Sequence, residues 1–129
     1  MAKVKGVKGV RVPMLDHSGG NVRIFPHMLI FEFDYSDVSH RSVELNELKA
    51  VLTEVRGRQE LPDWNRKMES CFALHELLWH NMSTRKYRDR GIRLITFQLE
   101  DPGLCHCPRA TVSLERLFKA VNEVLALGL

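Results

Sequence analysis

The residues of this chain best suited to chemistry are Cys71, Cys105 and Cys107, its three cysteines, together with His75. Thiolates and a neutral imidazole are ligands that zinc favours, and four of them close a tetrahedron around the ion. Read as helix, the segment around 71–75 stacks Cys71 and His75 one turn apart, while the CHC run at 105–107 brings two more thiols from a loop. The cofactor expected of such a set is Zn²⁺ in a structural role, because four protein ligands leave no position open for water. The competing assignment is packing, since cysteine is among the most buried residue types and Cys71 and His75 fall on an apolar stripe. The HELLWH run at 75–80 resembles a zinc-protease motif only superficially. Its histidines are five apart instead of four and diverge by about 140° around a helix, so Glu76 reads as a solvated surface residue.

Carboxylates form a second candidate. Asp34 and Asp37 follow the apolar run FEF, and Glu100 and Asp101 follow ITFQL. If the two runs are parallel strands, both acid pairs lie at one carboxyl edge and can hold Mg²⁺ for nuclease or phosphotransfer chemistry, with Lys49 or Arg41 clamping a phosphate. Turn chemistry alone also places Asp at strand ends, and it is the preferred explanation. The HSGG run at 17–20 lacks the Lys-Ser/Thr of a phosphate loop and reads as a hairpin turn. His106 is too close in sequence to Cys105 and Cys107 to activate either as a nucleophile.

Cations supply the third candidate. Nineteen Lys and Arg against sixteen Asp and Glu leave a net charge of +3, so distribution matters more than the sum. Lys3, Lys5, Lys8 and Arg11 occur in the first twelve residues without an acid, and Arg85, Lys86, Arg88, Arg90 and Arg93 stand against Asp89 alone. Between these zones, residues 32–47 carry Glu32, Asp34, Asp37, Glu44 and Glu47 against the single base Arg41. Such zones suit counterion release on a phosphate backbone, with Tyr87 able to stack on a base. They equally suit a protein partner of complementary potential. No helix-turn-helix or RNA-module signature accompanies them.

The elements that must position these residues follow from periodicity. Alternating residues on either side of DHSGG predict an N-terminal hairpin over 10–25, with Pro13 suited to an edge. HMLIFEFDY is apolar on both faces and predicts a central strand over 28–35, and 36–42 reads as a polar break. Leu45, Leu48, Leu52 and Val55 at helical spacing, with Gly57 beyond them, predict a helix that stops at Gly57. Trp64, Met68, Cys71, Phe72, His75, Trp79 and Met82 recur at steps of three and four and predict a long helix over 64–82 with Asp63 as its N-cap. Gly91 ends the basic segment, and 92–99 reads as a second central strand. Ser113 or Thr111 then caps a last helix carrying Leu114, Leu117, Phe118, Val121 and Leu125 on one face.

The expected architecture is α+β: a single domain over 1–129, with residues 1–9 a basic arm. A mixed β-sheet, built from the N-terminal hairpin plus two central strands in parallel, packs with three helices in the order β-β-β-α-α-β-α. At 129 residues with 44% apolar and 27% charged composition, the chain is globular, neither disordered nor a rod. It carries no apolar run long enough to span a membrane, and three cysteines are no disulfide scaffold, so the expected compartment is the cytoplasm. Trp64, Trp79 and Phe118 would line any homodimer face, although their spacing assigns them to the core. The functional expectation is a small non-enzymatic binding or adaptor protein acting through charged surfaces on a protein or nucleic-acid partner. Its rivals are the Mg²⁺-dependent enzyme and the zinc-stabilised binding domain.

Overall fold

The structure, a computed structural model, describes residues 9–34, 37–41, 43–58, 65–68, 72–77, 82–99 and 109–127. It is α+β with three helices among those residues. The strands are β1 Val10–Pro13, β2 Asn21–Phe25, β3 Met28–Glu32, β4 Asp37–Arg41, β5 Asn65–Met68, β6 Phe72–Leu77, β7 Leu94–Leu99 and β8 Arg109–Ser113. The helices are α1 Leu45–Arg56, α2 Met82–Asp89 and α3 Leu114–Ala126. No helix among the described residues is long and apolar enough to cross a membrane.

Two four-stranded antiparallel meanders replace the expected mixed sheet, β1-β2-β3-β4 and β5-β6-β7-β8. Each is followed by a helix, α1 after β4 and α3 after β8, with α2 inserted between β6 and β7. The strands expected to pair in parallel, β3 and β7, therefore lie in different sheets. They meet face to face: the Phe31 and Phe97 rings stand 5.1 Å apart, edge to face. Leu29 and Phe31 of β3, Val22 and Ile24 of β2, and Ile95, Phe97 and Leu99 of β7 join the buried faces of α1 and α3 in one apolar cluster.

The local predictions hold where one element's own sequence decides. The hairpin forms with Val10 opposite Ile24 and Val12 opposite Val22, and Gly20 closes it in a space where a Cβ would meet the Met14 sulfur at 2.7 Å. Helix α1 buries Leu45, Leu48, Val51, Leu52 and Val55 and ends at Gly57. Helix α3 starts on Ser113, whose hydroxyl accepts the Arg116 amide proton at 3.3 Å. Gly91, at φ 82°, stops α2 in the left-handed conformation that favours glycine.

The long helix over 64–82 is not formed. Its described parts are β5 and β6, paired as Asn65 with His75 and Met68 with Phe72, and α2 begins only at Met82. The short run FALHEL shows no period that excludes either a helix or a strand, and β7 decides between them. That strand buries Leu94, Ile95, Thr96, Phe97 and Leu99, so both of its faces are covered, and its backbone pairs with all six residues of β6. The segment 36–42, expected as a polar break, contains β4.

Glu76 is the clearest consequence. On a helix it read as solvated; on β6 it stands opposite Ile95 and is 2% exposed. Arg93 holds it, with Nε 2.5 Å from Oε2 and Nη2 2.7 Å from Oε1, while Nη1 donates to the Arg58 carbonyl at 3.1 Å. A buried carboxylate needs such a paired, hydrogen-bonded cation. Arg93 is thus removed from the basic surface zone.

Candidate binding surface

Strand edges present backbone donors and acceptors in rows, and the fold treats two of them differently. The outer edge of β8 is closed by the β1–β2 loop. The Leu15 amide donates to the Thr111 carbonyl at 2.7 Å, the Thr111 amide donates to Asp16 Oδ1 at 2.9 Å, and His17 Nε2 donates to the Arg109 carbonyl at 2.8 Å. The Asp16 side chain is only 4% exposed, so this carboxylate replaces a missing strand. Beneath the loop, the Thr96 and Thr111 hydroxyls share a buried hydrogen bond of 2.8 Å.

The outer edge of β1 has no such cover among the described residues, since β1 ends its sheet and pairs only with β2. The Met14 amide donates inward to the Gly20 carbonyl at 2.9 Å. Antiparallel alternation then turns Val12 and Val10 inward as well, and points the backbone N–H and C=O of Arg11 and the C=O of Pro13 outward. Helix α3 packs on β1, β2 and β8. Between the edge and the helix runs an open groove of about 280 Å³, lined by Val10–Pro13 and by Arg116, Lys119, Ala120 and Glu123. Arg116, Lys119 and Glu123 are exposed, Ala120 is a buried floor, and no described carboxylate lies within ion-pair distance of Arg116 or Lys119.

Lys49, Arg90 and Arg109 are likewise exposed without a described carboxylate within ion-pair distance, but none of them lines this groove, and several other cations are engaged. Arg11 Nε lies 3.0 Å from Glu32 Oε1, and this hydrogen bond raises the guanidinium pKa above its ordinary value. Arg23 shares Glu32 at 3.3 Å. Arg56 grips Glu115 at 2.9 and 3.0 Å, which likewise raises its pKa, and stacks over the Phe118 ring at 4.1 Å, tying α1 to α3. Both arginines therefore stay charged through the neutral range.

The basic zone around Tyr87 lies on α2 and the turn after it. Thr84 is buried, Tyr87 and Arg88 are half-buried, and Arg85, Lys86 and Arg90 are exposed. Arg85 pairs with Asp89 at 3.7 Å, and the Lys86 ammonium stands 5.2 Å from the Tyr87 ring. Lys3, Lys5 and Lys8 lie outside the described residues.

The zinc grouping loses its geometric premise. Residues 72–77 are extended, where four residues span about 13 Å instead of one helical turn. Cys71, Cys105 and Cys107 lie outside the described residues, and among those described no three His, Cys, Asp or Glu side chains converge. The carboxylate grouping loses its premise too. Asp34 and Asp37 are exposed at one end of the first sheet, β7 belongs to the other sheet, and Glu100 and Asp101 lie outside the described residues.

Sequence reasoning missed Arg116 and Lys119, whose signal was present as an i, i+3 pair on the polar side of the last helical stripe. It missed the docking role of Asp16 and His17, which no local pattern reveals. Comparison of the chain with protein-family models, with curated proteins and with solved structures finds no match.

Proposed function

We propose that this is a non-enzymatic binding protein of the cytosol that engages an acidic protein partner. The observation that carries this reading is the exposure of Arg116 and Lys119, without a described carboxylate partner, beside an open strand edge. Unpartnered cations keep their field for an incoming anion and steer its approach, whereas Arg11, Arg56 and Arg93 spend theirs on Glu32, Glu115 and Glu76. The test is the fluorescence anisotropy of labelled poly-glutamate, with single-stranded RNA as the comparison polyanion. Poly-glutamate should bind at about 50 mM NaCl, weaken steeply by about 200 mM, and lose about tenfold in affinity with Arg116→Glu/Lys119→Glu.

A second reading, nucleic-acid binding, draws on α2, where Lys86 and Arg90 are exposed next to the half-buried Tyr87 ring. RNA bound more tightly than poly-glutamate, and released by Arg85→Ala/Lys86→Ala/Arg88→Ala, would decide for it. Failure of both polyanions to bind at low salt would remove both readings.

A further inference from the structure

We infer that the groove between β1 and α3 accepts an extended acidic segment of a partner protein as a fifth strand of the first sheet. This rests on the acidic-partner reading and adds its mode of recognition. In strand addition, main-chain hydrogen bonds to an open edge supply affinity and the side chains of alternate residues supply specificity. Both components are in place. The edge offers the N–H and C=O of Arg11 and the C=O of Pro13, and Pro13, which has no N–H to give, ends the pairing surface at that side.

The side walls set the pattern. Val10 and Val12 point to the core side of the sheet, where α3 lies, and Arg11 to the opposite side, where Glu32 already neutralises it. An incoming strand therefore turns alternate side chains toward α3. There the small floor at Ala120 leaves room between Arg116 and Lys119, two cations against the single carboxylate of Glu123. Acidic residues are wanted at i and i+2 on that side, and uncharged β-formers on the other.

A second copy of this chain is the poorer occupant. Symmetric antiparallel pairing that used both outward groups of Arg11 would set Arg11 directly opposite its equivalent and bring the two Arg116/Lys119 pairs to one seam. The β8 edge is no alternative, because residues 15–17 already occupy it.

The probe is a fluorescein-labelled peptide of alternating Val and Glu, about eight residues long, read by anisotropy against the full chain. Binding should be saturable, about tenfold weaker for Arg116→Glu/Lys119→Glu, and replaced in that variant by binding of a second peptide of the same length that alternates Val and Lys. Two further peptides carry N-methyl groups on the Val or on the Glu amides, blocking one strand edge or the other without altering charge. One set should weaken binding about tenfold and the other should leave it unchanged. Equal behaviour of the two sets, or indifference to Arg116→Glu/Lys119→Glu, would overturn strand addition. Poly-glutamate binding without binding of the alternating peptide overturns it as well, and leaves the acidic-partner reading standing.

Discussion

Arg93→Met tests whether the fold depends on the ion pair that the β6–β7 register buries. The substitution keeps the length of the side chain and removes its charge. It leaves Glu76, 2% exposed, without the two donors at 2.5 and 2.7 Å, and frees the Arg58 carbonyl from its 3.1 Å contact. Breaking a buried pair by removing one partner costs about 3–5 kcal/mol. The Arg93 side chain is 20% exposed, so water reaches that end of the pair and the expected loss is about 3 kcal/mol. For a domain of this size that corresponds to roughly 10 °C in Tm. Urea unfolding followed by circular dichroism measures it. Glu76→Leu/Arg93→Met, which removes both charges, should recover most of the loss, because an apolar pair needs no compensation. A loss below about 1 kcal/mol for Arg93→Met, or a double variant no more stable than that single one, would show that the pair is not buried as described.

Two further outcomes follow from the same accounting of buried polar groups. Thr96→Val should cost about 1–3 kcal/mol because it strands the buried Thr111 hydroxyl, and Thr96→Val/Thr111→Val should restore much of it; equal stability of the single variant and the parent in urea would contradict the hydrogen bond. Asp16→Ala should destabilise by about 1–3 kcal/mol and speed hydrogen exchange at the Thr111 amide, with Asp16→Asn milder because an amide oxygen still accepts; unchanged exchange would place the β8 edge elsewhere.

The candidate surface was only partly legible beforehand. In sequence Arg11 reads as a phosphate-seeking cation, yet its partner Glu32 lies twenty-one residues away, joined to it only through the β1-β2-β3 pairing. Arg85 and Asp89, by contrast, are four apart on one helix, and their pairing is a local matter. Which cations stay unpartnered is a property of the assembled sheets and helices, and no inventory of charge zones contains it.

Composition, the hairpin over 10–25 and the helices that end at Gly57 and begin at Ser113 were determined by the chain's own residues, because turns, caps and apolar stripes act over a few positions. Between Asn65 and Leu77 the tertiary structure decided. An apolar stripe there satisfies a helix and a buried strand equally, and a strand's hydrogen bonds are made with partners far along the chain. Once β7 supplied those partners, Glu76 turned inward to Arg93, β3 and β7 parted into separate sheets, and the edge of β1 was left open beside α3.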